Sequence, residues 1–215
     1  MNFDINQVVS ALAVGAIPVL FAITLHEVAH GWAARQLGDR TAEILGRLSL
    51  NPLKHVDPIG TLVVPLLMFM FSGFLFGWAK PVPVAFRNLR RPKTDMVWVA
   101  LAGPAANVVM GIGWALVLKL SYTVGPAGDF LSQMAEIGLL INILLAAFNL
   151  LPIPPLDGGR VVRGLVGEGF GNLLDRIEPF GLIIIVLLLV TDVLWFFVQP
   201  LIAVVRSLIL IVAGL

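Results

Sequence analysis

The sequence predicts an all-α polytopic membrane protein, and two observations carry this prediction. First, 59% of the 215 residues are hydrophobic and 13% are charged, and the mean hydropathy is +0.97. Soluble domains carry about 25% charged residues. Second, several apolar runs are long enough to enter or cross a bilayer, which takes about 20 residues per helix. These runs are Val8–Ala34, Ile59–Trp78, Met96–Leu120, Met134–Leu151 and Phe180–Val212.

The runs are not all predicted to cross the membrane once. We expect about four to five full spans, one re-entrant segment near residues 59–78 and a small membrane-associated β element. The last run is long enough for two passes, and Gln199-Pro200 is its natural break because proline disrupts a helix. Residues 41–60 are rich in β-forming and turn residues, which predicts strands and turns. Residues 79–93 contain prolines and five basic side chains, and we expect them to be extended and interfacial.

One domain is expected to contain all of these elements. The chain shows no internal repeat, low-complexity tail or soluble appendage, so residues 1–215 are interpreted as a single domain. Its core covers about residues 8–165, and accessory C-terminal membrane helices cover about 178–215. The N-terminal stretch MNFDINQ lacks Lys and Arg, unlike a secretory signal, so the first run is expected to be retained. The net charge of +1 gives no reason to expect nucleic acid, and the absence of cysteine excludes thiolate metal ligands.

The first apolar run carries three titratable side chains, which a membrane helix rarely tolerates without a role. His26 and His30 are four residues apart, so on a helix both imidazoles project from one face. Glu27 follows the first histidine. In this H-E-x-x-H arrangement two neutral imidazoles can bind Zn²⁺, and the glutamate can take a proton from the activated water. The alternative is a chance pentapeptide at a helix end near the interface.

A catalytic zinc needs a third protein ligand, and Asp157 is the strongest candidate. It lies in the stretch 149–159, whose three prolines must break the preceding helix. Broken backbone at membrane depth is tolerated only where it is buried in protein or lines a wet cavity. The two glycines after Asp157 leave room for close approach by another segment. Two alternatives stay open: Asp157 as the cap of a simple turn, and His55 as the third ligand.

The position of Asp157 constrains the path of the chain. If it meets the histidines, the first helix and the run 134–151 must be parallel, which requires residues 59–78 to dip into the membrane and return. The loops that this path places together hold most basic residues, and basic loops are cytoplasmic. The sequence therefore predicts a cell-membrane protein with its metal site toward the cytoplasmic side and its N-terminus outside. The basic residues concerned are Arg35, Arg40, Arg47, Lys54, Lys80, Arg87, Arg90, Arg91, Lys93, Arg160, Arg163 and Arg176.

Three motifs, in order along the chain, resemble those of the site-2 protease family of intramembrane zinc metalloproteases. They are HEVAH at residues 26–30, AGPAAN at 102–107 and NLLPIPPLDGG at 149–159. The stretch 51–61 resembles the small prokaryotic branch of that family, and no PDZ or CBS domain is visible. The likeness extends over roughly residues 17–163.

The resemblance implies a catalytic core of three membrane helices that binds one zinc ion. His26, His30 and Asp157 are the implied ligands, and Glu27 is the implied general base and acid. The implied reaction is hydrolysis of peptide bonds in or near transmembrane helices of membrane-anchored substrates, as in regulated intramembrane proteolysis.

Two asparagines are also matched by the resemblance. Asn149 corresponds to an asparagine that stabilises the developing oxyanion. Asn107 corresponds to the asparagine of a G-P-x-x-N motif, with a structural or substrate-positioning role. Residues 59–78 resemble the membrane-re-entrant β element of the family.

Other function classes and partners follow from the same residues. A zinc carrier would need a second ligand cluster on the far side, where residues 121–133 offer only Asp129. A catalytically silent chaperone for membrane helices could discard Glu27, which is present here. The expected partners are a transmembrane-helix substrate and the lipid bilayer, and the sequence is compatible with a homodimer without requiring one. Asp192 is interpreted as a hinge or interface carboxylate, with gating or partner pairing as the alternative.

Overall fold

The fold consists mostly of helices. A computed structural model describes residues 5–64, 79–125 and 128–215. In these ranges the α-helices are α1 (Ile5–Gln36), α2 (Thr41–Ile44), α3 (Pro92–Ser121), α4 (Gly128–Asn149), α5 (Asp157–Leu165), α6 (Glu168–Ile177), α7 (Gly181–Val190) and α8 (Val193–Ala213). Short 3₁₀ turns occupy Pro52–Lys54, Phe86–Asn88 and Glu178–Phe180, and a π-helical turn occupies Pro58–Val63.

Four helices within the described residues are long and apolar enough to cross a membrane. They are Val14–Gln36 of α1, together with α3, α4 and α8. Helix α7 has 10 residues, which cover about 15 Å and therefore about half of a bilayer core. The prediction of a polytopic helical membrane protein is confirmed, and the last apolar run holds one long helix and one short helix.

The break in the last apolar run lies at Thr191–Asp192, so the prediction of a break at Gln199-Pro200 is wrong. The Thr191 hydroxyl donates to the carbonyl of Leu187 at 2.8 Å, which competes with continuation of α7. Asp192 then adopts a left-handed conformation with φ 59° and precedes α8. Pro200 is accommodated inside α8. The interpretation of Asp192 as a hinge residue agrees with this position.

The strands predicted for residues 41–60 are absent, because this described stretch forms short helical turns instead. Asn51 accepts a hydrogen bond from Leu53 N at 3.0 Å. Asp57 likewise accepts from the backbone of Ile59 at 2.9 Å. Each cap is followed by a proline in the first helical position, which favours a helical turn over a strand. The small β element predicted near residues 59–78 is not seen in residues 59–64, and residues 65–78 lie outside the described part of the chain.

Three helices that carry the predicted motifs alternate in direction. His30 contacts Val99 near the start of α3, whereas His26, one turn earlier in α1, contacts Asn107 further along α3. Helices α1 and α3 are therefore antiparallel. Asn142 in α4 contacts Asn107, and α4 ends beside the histidines, so α4 runs parallel to α1. This is the relation between the two helices that the sequence requires if Asp157 meets the histidines.

The chain leaves α1 and enters α3 at the same end of this bundle. The carbonyl of Leu37, just after α1, accepts from the backbone N–H of Arg90 at 3.0 Å. The carbonyl of His55 accepts from Lys80 N at 2.8 Å, which joins the two flanks of the segment predicted to be re-entrant. The re-entrant path itself lies mostly outside the described residues and stays a prediction.

Helix α8 packs across α3 and α4 and completes the apolar core. Small residues let the helices approach closely, which is how membrane helices associate in the absence of a hydrophobic driving force. Gly138 of α4, for example, accommodates the ring of Trp114 from α3, where a Cβ would collide with the indole. The buried cluster consists of Ala115, Ile143, Ala146, Ala147, Val205, Ile209 and Ala213.

A buried carboxylate, Asp39, holds the segment before α3 against the end of α1. The side chain is 1% exposed. It accepts from Thr41 N at 3.0 Å, from the Thr41 hydroxyl, from Ala85 N at 2.7 Å and from Asn88 Nδ2 at 3.1 Å. Burial opposes ionisation of this carboxyl, but the donors outweigh burial and hold the pKa of Asp39 below its usual value.

We expect Asp39→Asn to lower the free energy of unfolding by about 1–3 kcal/mol near pH 7, because an amide nitrogen would face N–H groups that need an acceptor. Since folding lowers the pKa of Asp39, its carboxylate stabilises the fold above the unfolded pKa, about 3.9. That contribution disappears as the pH falls through the folded pKa. Thermal unfolding in detergent should therefore show a gap between wild type and Asp39→Asn that narrows below about pH 4.

The matched control is Glu43→Gln, which removes exposed ion pairs to Arg35 and Arg40. Exposed pairs contribute little to stability, so this variant should unfold close to wild type. An Asp39→Asn protein as stable as wild type at pH 7 would contradict the role given to Asp39.

Candidate metal centre

His26 and His30 in the C-terminal half of α1 and Asp157 at the start of α5 bring three potential ligand atoms together. The Nε2 atoms of the two histidines are 3.1 Å apart, and each lies 3.2 Å from Asp157 Oδ2. All three residues are buried. Ligand atoms about 2.0–2.1 Å from one tetrahedral zinc are separated by about 3.3 Å, so the spacing fits a single ion. Among the described residues no other group of three potential ligands lies this close together.

Both histidines have their second ring nitrogen occupied. His26 Nδ1 lies 2.5 Å from Asn107 Oδ1, and His30 Nδ1 lies 2.7 Å from the carbonyl oxygen of Val99. Each acceptor calls for a proton on Nδ1, which leaves Nε2 as the atom with the free lone pair. Imidazoles that bind metals are commonly oriented in this way. The pair therefore presents two ligand atoms toward Asp157.

Asp157 is placed by the loop that follows α4. The helix ends at Asn149 and α5 begins at Asp157, so the predicted break before the prolines is confirmed. A Cβ at Gly158 would collide with the carbonyl of Leu150, and one at Gly159 with the backbone of Pro154. The segment that approaches these glycines is thus the loop 150–156 itself.

The surroundings of Asp157 also fit a metal ligand. Its buried Oδ2 accepts no well-aligned hydrogen bond even though both Nε2 atoms are near. Lone pairs that converge in this way without a shared proton suit a cation.

Gly103 in α3 makes the space in which the imidazoles lie. A Cβ at this position would collide with His30 Nε2, and also with Cε1 of His26 at 2.7 Å. The absence of a side chain thus brings α3 close to the metal-facing edge of both rings. The donor set, the spacing and this cradle together fit a zinc ion.

Glu27 is fixed by the backbone of the segment before α3. Its Oε2 accepts from Val82 N at 2.7 Å, and the carboxylate is half-buried. The Val82 side chain packs against Gly31, one turn after Glu27, where a Cβ would approach Val82 Cγ1 to 2.7 Å. The hydrogen bond from Val82 thus fixes one oxygen of the Glu27 carboxylate.

The remaining candidates occupy different positions. Asn107 is fully buried and contacts His26 directly. Asn149 donates from Nδ2 to the carbonyl of Leu145 in its own helix at 3.0 Å. His55 is buried, lies 2.8 Å from the carbonyl oxygen of Ser49 through Nε2, and is absent from the ligand group. Within the described residues, the geometry thus favours Asp157 over His55 as the third ligand.

Two contributors were not identified from the sequence. Asn142 contacts Asn107 from α4 and is fully buried. A polar amide in the middle of the apolar run 134–151 was the available signal. The other is Val82, which acts through a backbone N–H, and a backbone donor leaves no mark in the residue pattern.

Comparison with known proteins places this chain in a family. Residues 123–191 match the pattern of peptidase family M50. "Putative zinc metalloprotease YwhC" of Bacillus subtilis is 39% identical over 188 residues, which cover 83% of this chain and 83% of that protein. "Putative zinc metalloprotease Rip2" of Mycolicibacterium smegmatis is 35% identical over 183 residues, or 83% of this chain and 68% of that protein.

A more distant archaeal relative, "Zinc metalloprotease MJ0392" of Methanocaldococcus jannaschii, is 24% identical over 161 residues, or 75% of this chain and 37% of that protein. No solved structure matches the chain.

The helices, the ligand group and these relatives define a multi-pass membrane zinc metalloendopeptidase with one zinc ion as its cofactor. The chain belongs to peptidase family M50, the site-2 protease family. The resemblance seen in the three sequence motifs is confirmed.

We expect Gly103→Ala to lower zinc affinity about 10- to 100-fold, the range typical of changes beside metal ligands, because its Cβ would push both imidazoles apart. Zinc retained by the purified protein after equilibration with graded chelator measures this. Gly113→Ala, on the same helix but facing open space, is the matched control and should retain zinc like wild type. Equal retention by the Gly103 and Gly113 variants would contradict the cradle.

Proposed function

We propose that this chain is an intramembrane protease that hydrolyses peptide bonds in or near transmembrane helices of membrane-anchored proteins, as in regulated intramembrane proteolysis. The observation that carries the proposal is the convergence of His26, His30 and Asp157 inside a bundle of apolar helices. A peptide bond that reaches such a site has to come from a segment within or beside the bilayer. Unpaired ionisable groups would be costly there, which favours a functional reason for all three.

His26, His30 and Asp157 are assigned as the zinc ligands. Their support is the 3.1–3.2 Å spacing of the three ligand atoms and the occupied Nδ1 atom of each histidine. Zinc bound by them would polarise the scissile carbonyl and lower the pKa of a water to about 7.

Glu27 is assigned as general base and then general acid. Its carboxylate takes one proton from the water, whose oxygen adds to the carbonyl carbon. As the C–N bond breaks, Glu27 returns that proton to the leaving nitrogen, so the carboxylate is restored. The bond from Val82 N to Oε2 supports this role, since it fixes one oxygen and leaves the other free for the water.

The two asparagines are assigned different roles. Asn149 is proposed to donate to the oxyanion, which requires its side chain to rotate away from the Leu145 carbonyl that Nδ2 now contacts. Asn107 is proposed to orient His26 rather than to touch substrate, because it is fully buried and bonded to that ring.

The substrate must become extended before it is cut. In a helix each peptide carbonyl is hydrogen-bonded and shielded by the next turn, so the attacked bond has to lie in an unwound segment. Main-chain groups of the loop 150–156, beside Asp157, are proposed to pair with that segment by strand addition.

Residues 1–215 are proposed to act as one domain, with a core of about 8–165 and accessory helices in about 178–215. The packing of α8 against α3 and α4 supports this organisation. One chain contains all of the proposed catalytic residues, so the proposal does not depend on a homodimer.

We expect Glu27→Gln to lower the rate of helix cleavage about 100- to 10,000-fold, because an amide cannot accept the proton. Purified protein in detergent is mixed with a membrane-helix substrate that wild type cleaves, with and without a zinc chelator, and products are identified by mass. The Glu27→Gln protein should still retain zinc. Glu136→Gln, at an exposed acid in the first half of α4, is the control and should cleave like wild type.

Two results would overturn the protease assignment. One is cleavage by Glu27→Gln at the wild-type rate. The other is failure of zinc-loaded wild type to cut any of a panel of membrane helices. Cleavage that persists in chelator after zinc has been removed would overturn the role of the metal site.

The metal site is proposed to lie toward the cytoplasm and the N-terminus outside the cell, supported by the basic loops near the metal-site end of the bundle. The chain has no cysteine, so single cysteines report topology without background. Gly169→Cys, in α6 at the metal-site end, should react with a membrane-impermeant maleimide only after cells are opened. Tyr122→Cys, after α3 at the other end, should react in intact cells. The reverse pattern would invert the proposed orientation.

A further inference from the structure

We propose that Asn142 is a positioning residue that, through Asn107, sets the tautomer of His26 so that Nε2 faces the metal. The inference rests on the proposed function in one respect, the assignment of His26 as a zinc ligand. No sequence motif included Asn142, which lies in the middle of α4, two turns before the motif that begins at Asn149.

A continuous path of hydrogen bonds links the two amides to the ring. Asn142 Nδ2 donates to the carbonyl of Gly138 at 2.8 Å. Asn142 Oδ1 accepts from Asn107 Nδ2 at 2.9 Å, and Asn107 Oδ1 lies 2.5 Å from His26 Nδ1. The second proton of Asn107 Nδ2 goes to the carbonyl of Ala22 at 3.2 Å. Every polar atom of the two amides therefore has a partner.

The direction of this path is determined at its ends. Backbone carbonyls only accept, so Gly138 O requires the nitrogen of Asn142 and Ala22 O requires the nitrogen of Asn107. The oxygen of Asn107 must then face His26, which requires a proton on Nδ1. A neutral imidazole carries one ring proton, so Nε2 keeps its lone pair for the metal.

His30 shows why the second asparagine matters. Its Nδ1 contacts the Val99 carbonyl directly, and a carbonyl cannot reverse its role. His26 contacts an amide instead, and an amide can rotate to present nitrogen in place of oxygen. Reversed, Asn107 would donate to Nδ1, move the ring proton to Nε2 and block the ligand atom. Asn142 adds a second acceptor that opposes this rotation.

The packing between α3 and α4 is arranged for this contact. Both asparagines are 0% exposed and lie between apolar helices. Gly138, whose carbonyl accepts from Asn142, also accommodates the Trp114 ring of α3, where a Cβ would collide with the indole. Burying an amide costs free energy unless its polar atoms are hydrogen-bonded. The complete pairing of these two amides therefore removes most of that cost and fixes their orientation.

The first measurement is the tautomer itself. The chain has three histidines, so metal-free protein labelled with ¹⁵N in its imidazole rings gives few signals, and His55→Gln and His30→Gln assign them. At alkaline pH, wild type should show His26 protonated at Nδ1. Asn142→Leu, similar in shape but without polar atoms, should show a mixture of tautomers or the Nε2 form. A His26 signal unchanged from wild type in Asn142→Leu would overturn the proposal.

The second measurement is zinc affinity by chelator competition. Asn142→Leu should bind zinc about 10- to 100-fold more weakly than wild type. Asn142→Asp, which keeps an acceptor for Asn107 and when protonated a donor for Gly138, should stay within about threefold of wild type. Ile143→Ala, at the adjacent core residue, should lower thermal stability while leaving zinc affinity unchanged. Wild-type affinity in Asn142→Leu, or an equal loss in Asn142→Asp, would overturn the proposal.

His30→Ala separates this inference from the proposed function. If wild type binds zinc and His30→Ala does not, the ligand assignment holds. The Asn142 variants then test only the path of hydrogen bonds from Asn142 through Asn107 to His26. If His30→Ala binds zinc as tightly as wild type, the ligand assignment is wrong. The proposal that Asn142 orients a metal ligand is then wrong as well.

Discussion

The contact of Asp157 with His26 and His30 is the constraint on which the rest of the structure depends. Three atoms within 3.2 Å of one another come from the C-terminal half of α1 and from the first residue of α5. The contact forces α1 and α4 to be parallel, and α3 must then run back between them. It also requires the chain to leave α1 and enter α3 at one end of the bundle, as the bond between Leu37 and Arg90 shows. Gly103 is needed where α3 passes the imidazole edges. Topology, helix direction and a local glycine thus follow from one meeting point.

The apolar surroundings explain why nearly every buried polar atom around His26, His30 and Asp157 has a hydrogen-bond partner. Water is scarce between membrane helices, so each buried polar atom needs a partner from the protein. The Nδ1 atoms of both histidines and the amides of Asn107 and Asn142 all have one. Asp157 Oδ2 is the exception within this group, since it accepts no well-aligned hydrogen bond. The polar atoms around the site are therefore fixed, and the free lone pairs of the three ligand atoms point to one position. Such a site is preorganised for a cation, so binding requires little reorganisation.

Residue spacing predicted that His26 and His30 lie on one face of a helix, whereas the sequence left Asp157 open against His55 and a simple turn cap, and only the fold brings Asp157 to the two histidines. The prediction of a helical membrane protein followed from the composition. The predictions that were wrong concern positions where local side-chain hydrogen bonds compete with the expected backbone structure. Capping by Asn51 and Asp57 outweighed β-propensity in residues 41–60, and the Thr191 hydroxyl ended a helix where proline was expected to do so. The roles of Asn142 and Val82 were not predicted, because they depend on which helix or backbone atom lies opposite in the fold. A single sequence does not contain that information.

The segment from Ala79 to Ala85 connects the proposed base to the fold outside the helix bundle. Three of its backbone N–H groups donate hydrogen bonds: Lys80 N to the His55 carbonyl, Val82 N to Glu27, and Ala85 N to Asp39. Prolines at 81 and 83 have no N–H, so Val82 supplies the one donor between them, and Glu27 receives it. The prolines remove the donors from one edge of this segment, and Lys80 N and Val82 N on the other edge already donate to His55 and Glu27, which accounts for its irregular form. The position of the Glu27 carboxylate is therefore set jointly by its own helix and by this segment, and Gly31 provides the space in which the two meet.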